Sequence, residues 1–82
     1  METWLKQFLL DVYKDDKFVD LLDASIVKYI INIIDPIALG IIKLKYNKYS
    51  YREISLTYNI STTRVLSIIS KVTFRLRNNI KK

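Results

Sequence analysis

The segment YSYREISLTYNISTTRV, residues 49–65, carries the punctuation of two helices joined by a tight turn. Ser50-Tyr51-Arg52-Glu53 matches a capping box: the Ser hydroxyl takes the N–H three residues on, and the Glu carboxylate reaches back to the Ser N–H. Tyr49 before the cap and Ile54 after it are placed for a hydrophobic staple. The helix so begun ends near Tyr58. Asn59 comes next, where a tight interhelical turn needs a left-handed residue, a conformation Asn tolerates better than any residue but Gly. Ser61 then caps a longer helix running to about Asn78, with Val65, Ile69, Val72 and Leu76 as its core stripe.

Upstream, Asp35-Pro36 is a restart: Asp caps, and Pro occupies the first helical position, where its missing N–H costs nothing. A helix carrying Ile37, Leu39, Ile41, Ile42 and Leu44 extends to about Tyr46, and Asn47-Lys48-Tyr49 makes the next turn. Before it, Lys17 to Ile34 reads as one helix. Phe18, Leu22, Ile26, Tyr29 and Ile33 lie along one side, with Val19, Val27, Ile30 and Ile34 beside them. A stripe that wide needs more than one neighbour. The first helix runs from about Thr3, a candidate N-cap, to Tyr13 on a stripe of Trp4, Leu5, Phe8, Leu9 and Val12. Asp15-Asp16 interrupts it and caps the second helix. Apolar residues recur at spacings of three and four, not two. The expected fold is therefore all-α, with about five helices in a single domain over residues 1–82. Residues 1–35 form an N-terminal helical pair, and residues 36–82 contain the helix-turn-helix.

The chain has neither cysteine nor histidine. That removes disulfides, thiolate nucleophiles, imidazole bases and the usual zinc ligands together. Asp11, Asp15, Asp16, Asp20 and Asp23 read as caps and solvated faces, so no enzyme, cofactor or metal is expected. The apolar run Ile26 to Leu44 is broken by Lys28, Asn32, Asp35, Pro36 and Lys43, which makes it core rather than a membrane span. No membrane partner is expected. The N-terminus lacks the basic start and small-residue cleavage site of a signal peptide, and the expected location is cytoplasmic, at the nucleoid. Heavy use of Ile, Lys, Asn and Tyr fits an AT-rich genome, as in many phages and plasmids.

Charge is segregated within a net +6. Residues 1–40 hold four Lys against seven acids, whereas residues 41–82 hold ten Lys or Arg against the single acid Glu53. An acidic half joined to a basic half predicts two faces with different partners.

Several elements together resemble bacterial sigma factor region 4. They are Ile41-Ile42-Lys43-Leu44-Lys45-Tyr46, Tyr49-Ser50-Tyr51-Arg52-Glu53-Ile54-Ser55, Asn59-Ile60-Ser61, Val65 and Phe74-Arg75-Leu76-Arg77. The match covers about residues 36–80. Ser55 stands for the family's usual Ala and Asn59 for its usual Gly, while Leu66 and Ile68 occupy positions commonly polar there. The resemblance implies a transcription regulator that binds double-stranded DNA with its last helix in the major groove. The candidate groove face is Ser61, Thr62, Thr63, Arg64, Ser67 and Lys71, with Arg64 alone able to make a bidentate contact to guanine. Lys48, Tyr51, Arg52 and Arg75 are the candidate phosphate contacts, and Arg77 joins them as a residue for phosphate or water. The N-terminal helices would dimerise, or dock on RNA polymerase or another regulator. Leu66, Ile68 and Phe74 motivate the alternative, a protein-interaction adaptor that keeps the fold without binding DNA.

Overall fold

A computed structural model describes residues 1–80. The expected domain extends to Lys81 and Lys82, which lie outside the described residues. The fold is all-α, with six helices in chain order: α1 Thr3–Tyr13, α2 Asp16–Asp20, α3 Ala24–Ile33, α4 Pro36–Tyr46, α5 Tyr51–Tyr58 and α6 Thr62–Ile80.

Local chemistry sets most of these boundaries. Thr3 is the first residue of α1 and not its cap; Glu2 holds the cap position in extended conformation, and its carboxylate accepts from the Trp4 indole N–H. Lys14 closes α1 in the left-handed region at φ 54°, its N–H bonding the Leu10 carbonyl. Asp15 then starts α2 by accepting the Phe18 N–H at 3.1 Å. At Asp35 the carboxylate takes the N–H groups of Ile37 and Ala38 at 3.0 and 3.2 Å, with Pro36 at the first position of α4.

The helix expected over Lys17 to Ile34 is two helices. α2 stops at Asp20, Leu21–Asp23 form a break, and Asp23 begins α3 by accepting the Ile26 N–H at 2.9 Å. An unbroken helix over these 18 residues would be about 27 Å long. Breaking it lets Val19, Ile30 and Ile34 all reach one core, and the Asp23 cap, about 1 kcal/mol, offsets part of the lost helical hydrogen bonding.

That core is built on α1. Trp4, Leu5, Phe8, Leu9, Val12 and Tyr13 are all buried, packed with Val19, Ile30, Ile34, Ala38, Ile42 and Leu76 from the surrounding helices. Each large aliphatic or Phe side chain among them contributes about 1.5–3 kcal/mol of burial before chain entropy is counted. α1 lies against both α4 and α6. Its C-terminal half is fixed by polar bonds: Tyr46 Oη donates to Asp11 at 2.7 Å, and Tyr13 Oη to the Leu76 carbonyl at 3.3 Å. A smaller cluster of Ile41, Ile54 and Val65 joins α4, α5 and α6, with Ile68 and Ile69 bridging the two cores. The apolar stripe of α1 is thus enclosed within the domain. Apart from Met1, the large apolar side chains that residues 1–35 leave exposed are Leu21, Ile26 and Tyr29, along α2–α3.

The apolar α3–α4 pair turns through 114° at its break, and among the described residues no single helix is long and apolar enough to cross a membrane.

Candidate nucleic-acid interface

The last three helices place the candidate residues. α4 ends at the Asn47 cap, Lys48 takes a left-handed φ of 74°, and the Tyr49 N–H returns to the Leu44 carbonyl at 3.1 Å. The capping box then forms as expected: Ser50 Oγ accepts the Glu53 N–H at 3.1 Å, and Glu53 accepts the Ser50 N–H at 2.9 Å. Those bonds hold the Glu53 carboxyl below the usual carboxylate range. Asn59 is left-handed at φ 55°, ψ 47°. Ser61 caps α6 through its hydroxyl, which accepts the Arg64 N–H at 3.0 Å.

α5 and α6 are held at this turn by the small core. Ile54 and Val65 are fully buried in it, and Ile60 from the turn packs against them. α6 therefore directs Val65, Ile69, Val72 and Leu76 inward, and Ile68 joins that side. Its outward line is Thr63, Ser67, Ser70 and Phe74, as the helical repeat requires. Ser61, Thr62, Thr63, Arg64 and Lys71 are exposed, and Ser67 is half-buried. Arg64, Ser67 and Lys71 share one flank, lining a groove of about 340 Å³ with Asp35, Ile37 and Ala38 from the start of α4. Lys71 and Arg75 continue it into a smaller recess against Ile33 and Ile34. Leu66 lies on the opposite flank.

The phosphate set is less uniform. Lys48, Arg52 and Arg75 are exposed. Tyr51 is half-buried against the small core, with the Lys45 ammonium 5.1 Å from its ring centre. Its ring is part of the α4–α5 seam, where one face packs on apolar side chains and the other meets a cation. Arg77 is committed elsewhere: its Nε donates to the Val12 carbonyl at 2.6 Å and an Nη to that of Asp11 at 3.4 Å, capping the C-terminal end of α1. Those bonds tie its guanidinium to the end of α1 while the side chain stays exposed.

Two features escaped the sequence reading. Lys45 belongs beside Tyr51, a neighbourhood signalled only by the density of Lys43, Lys45 and Lys48. Asp35 and the exposed Ile37 border the Arg64–Lys71 groove, and no local pattern announces a contact across that distance in the chain.

Among the described residues no group of three or more metal-ligating side chains is placed to hold an ion. No family model, curated protein or solved structure matches this chain.

Proposed function

We propose that this chain is a DNA-binding transcription regulator that inserts α6 into the major groove, with α5 crossing the phosphate backbone. The observation that supports this best is the open side of α6: Thr63, Arg64 and Lys71 project, exposed, from a helix whose start is fixed by the Ser61 cap. Its N-terminal end adds the unpaired N–H groups and positive dipole that favour phosphate. Lys48 and Arg52 at the start of α5 supply further cations, in a half of the chain whose only acid, Glu53, is occupied in its own cap. Residues 1–35 supply the partner surface, through α2–α3, for a second copy or for the transcription machinery.

Five exposed cations, Lys48, Arg52, Arg64, Lys71 and Arg75, are expected to give a log–log salt slope of about −4.5, at about −0.9 for each phosphate neutralised. Anisotropy titrations with random duplex DNA at about 50 and about 200 mM salt test this. Affinity should fall about 500-fold across that range. The Arg64→Ala, Lys71→Ala double variant should lower the slope by about two units and bind weakly. Binding indifferent to both salt and substitution refutes the proposal and favours the adaptor alternative motivated by Leu66, Ile68 and Phe74, of which Leu66 and Phe74 are exposed and Ile68 is half-buried.

A further inference from the structure

We infer that the DNA read by α6 is recognised through thymine methyl groups, with Leu66 as the residue that reads them. The inference rests on the DNA-binding proposal and specifies its ligand. An α-helix with its side chains is about 10–12 Å across, matching the major groove's width of about 12 Å, and the candidate groove residues of α6 lie between Thr62 and Lys71. Base edges there are read by a small set of side chains: Asn or Gln for adenine, Asp or Glu for cytosine, Arg or Lys for guanine, and apolar groups for the thymine methyl. Residues 62–70 contain no Asn, Gln, Asp or Glu. Guanine has Arg64 and, just beyond, Lys71, and both stand on the flank that α4 borders.

The opposite flank carries Leu66, 45% exposed although α6 has a full core stripe without it. Thr63 and Ser70 are its neighbours three and four residues away, so their small side chains frame it without covering it. A solvent-facing Leu between two hydroxyls contributes little to the fold. Laid in the groove, it meets the one apolar group that base pairs present there. Thr62 and Thr63 add methyls of their own at the helix start. Phe74, 70% exposed, lies about 6 Å beyond Ser70 along the helix and outside this window.

Short alternating duplexes of dA-dT, dA-dU, dG-dC and dG-d(5-methylcytosine) test the inference, because uracil lacks only the methyl and 5-methylcytosine restores it at the same groove position. The native chain should bind dA-dT about fourfold more tightly than dA-dU for each methyl contacted, and the methylated dG-dC duplex more tightly than the unmethylated one. Leu66→Ala should bring the dT/dU ratio to within about twofold with the salt slope unchanged, while Phe74→Ala keeps the ratio. Equal affinity for dT and dU, with salt-dependent binding intact, overturns the methyl reading and leaves the DNA proposal standing. So does a dT/dU ratio that Leu66→Ala fails to reduce. Loss of salt-dependent binding to every duplex overturns both.

Discussion

Gly40 is the one glycine in the chain, and it sits mid-helix in α4, where Gly costs about 0.5–1 kcal/mol relative to Ala. The cost has a cause: a methyl at this position would overlap the Tyr58 hydroxyl, whereas the ring carbon Cζ behind that hydroxyl would remain at 3.6 Å, an ordinary contact. Gly40 thus lets the last residue of α5 close against α4, and this closure sets where α5 delivers the turn to α6. Gly40→Ala alone should gain the helical preference and lose about 1–3 kcal/mol to the displaced Tyr58, for a net destabilisation of roughly 0–2 kcal/mol. In a Tyr58→Phe background the overlap is gone, and the same substitution should stabilise by about 0.5–1 kcal/mol. The sign reversal amounts to a coupling of roughly 1–3 kcal/mol. Urea unfolding monitored by far-ultraviolet circular dichroism on the four proteins measures it, at constant slope against denaturant. If Gly40→Ala stabilises both backgrounds alike, to within about 0.5 kcal/mol, Tyr58 is not seated on Gly40 and this α4–α5 packing is wrong.

The turn and the core yield two further outcomes. Asn59→Gly should leave stability within a few tenths of a kcal/mol, while Asn59→Ala should cost about 1 kcal/mol because a Cβ without a local hydrogen bond is strained in the left-handed region; thermal melts of both variants check this. Burial raises the Tyr13 hydroxyl to about 12, so the folded chain holds its proton where the unfolded chain has lost it. That contribution is intact below pH 10 and disappears as pH rises toward 12, at most about 2–3 kcal/mol in all. Tyr13→Phe should flatten alkaline denaturation over that window, and an unchanged alkaline profile would refute the assignment.

The legible parts of the fold were those written in local chemistry. Asp35-Pro36, Ser50 with Glu53, Asn59 and Ser61 each act on backbone groups within four residues, and each sits where the sequence pattern puts it. The break at Leu21–Asp23 was hidden because its only signal is one aspartate in an otherwise helical apolar run. Asp23 is a cap only because the chain needs Val19 and Ile30 in one core, which is a tertiary demand. The candidate site divides the same way. Which residues of α6 face outward follows from the helical period, and Thr63, Arg64 and Lys71 are exposed accordingly. That Arg77 is bound to α1 depends on a partner 65 residues away, and that Tyr51 is half-buried depends on α4.

Arg77 also bears on why the two halves of the chain carry opposite charge. Its guanidinium meets carbonyls at the end of α1, where the helix dipole is negative, and the exposed carboxylates of Asp11, Asp15 and Asp16 lie nearby in sequence. The acidic segment thus receives the far end of α6, while nearer the helix start Asp35 is the acid that borders the Arg64–Lys71 groove. Like charges gathered at both ends of α6 would instead attract DNA along its whole length and favour any register. Arg77 stays exposed but commits two N–H groups to α1, while Arg64, Lys71 and Arg75 lie on the flank bordered by α4. On the proposed reading this fixes the helix by one edge. Phosphate attraction holds that edge, and the edge bearing Leu66, uncharged from Thr62 to Ser70, turns toward the bases. Moving the charge across the helix, by Leu66→Lys together with Lys71→Leu, would keep the net charge and the salt slope while abolishing preference for thymine over uracil. Persistence of that preference in the swapped protein would show that the orientation of α6 on DNA is set by something other than its lateral charge.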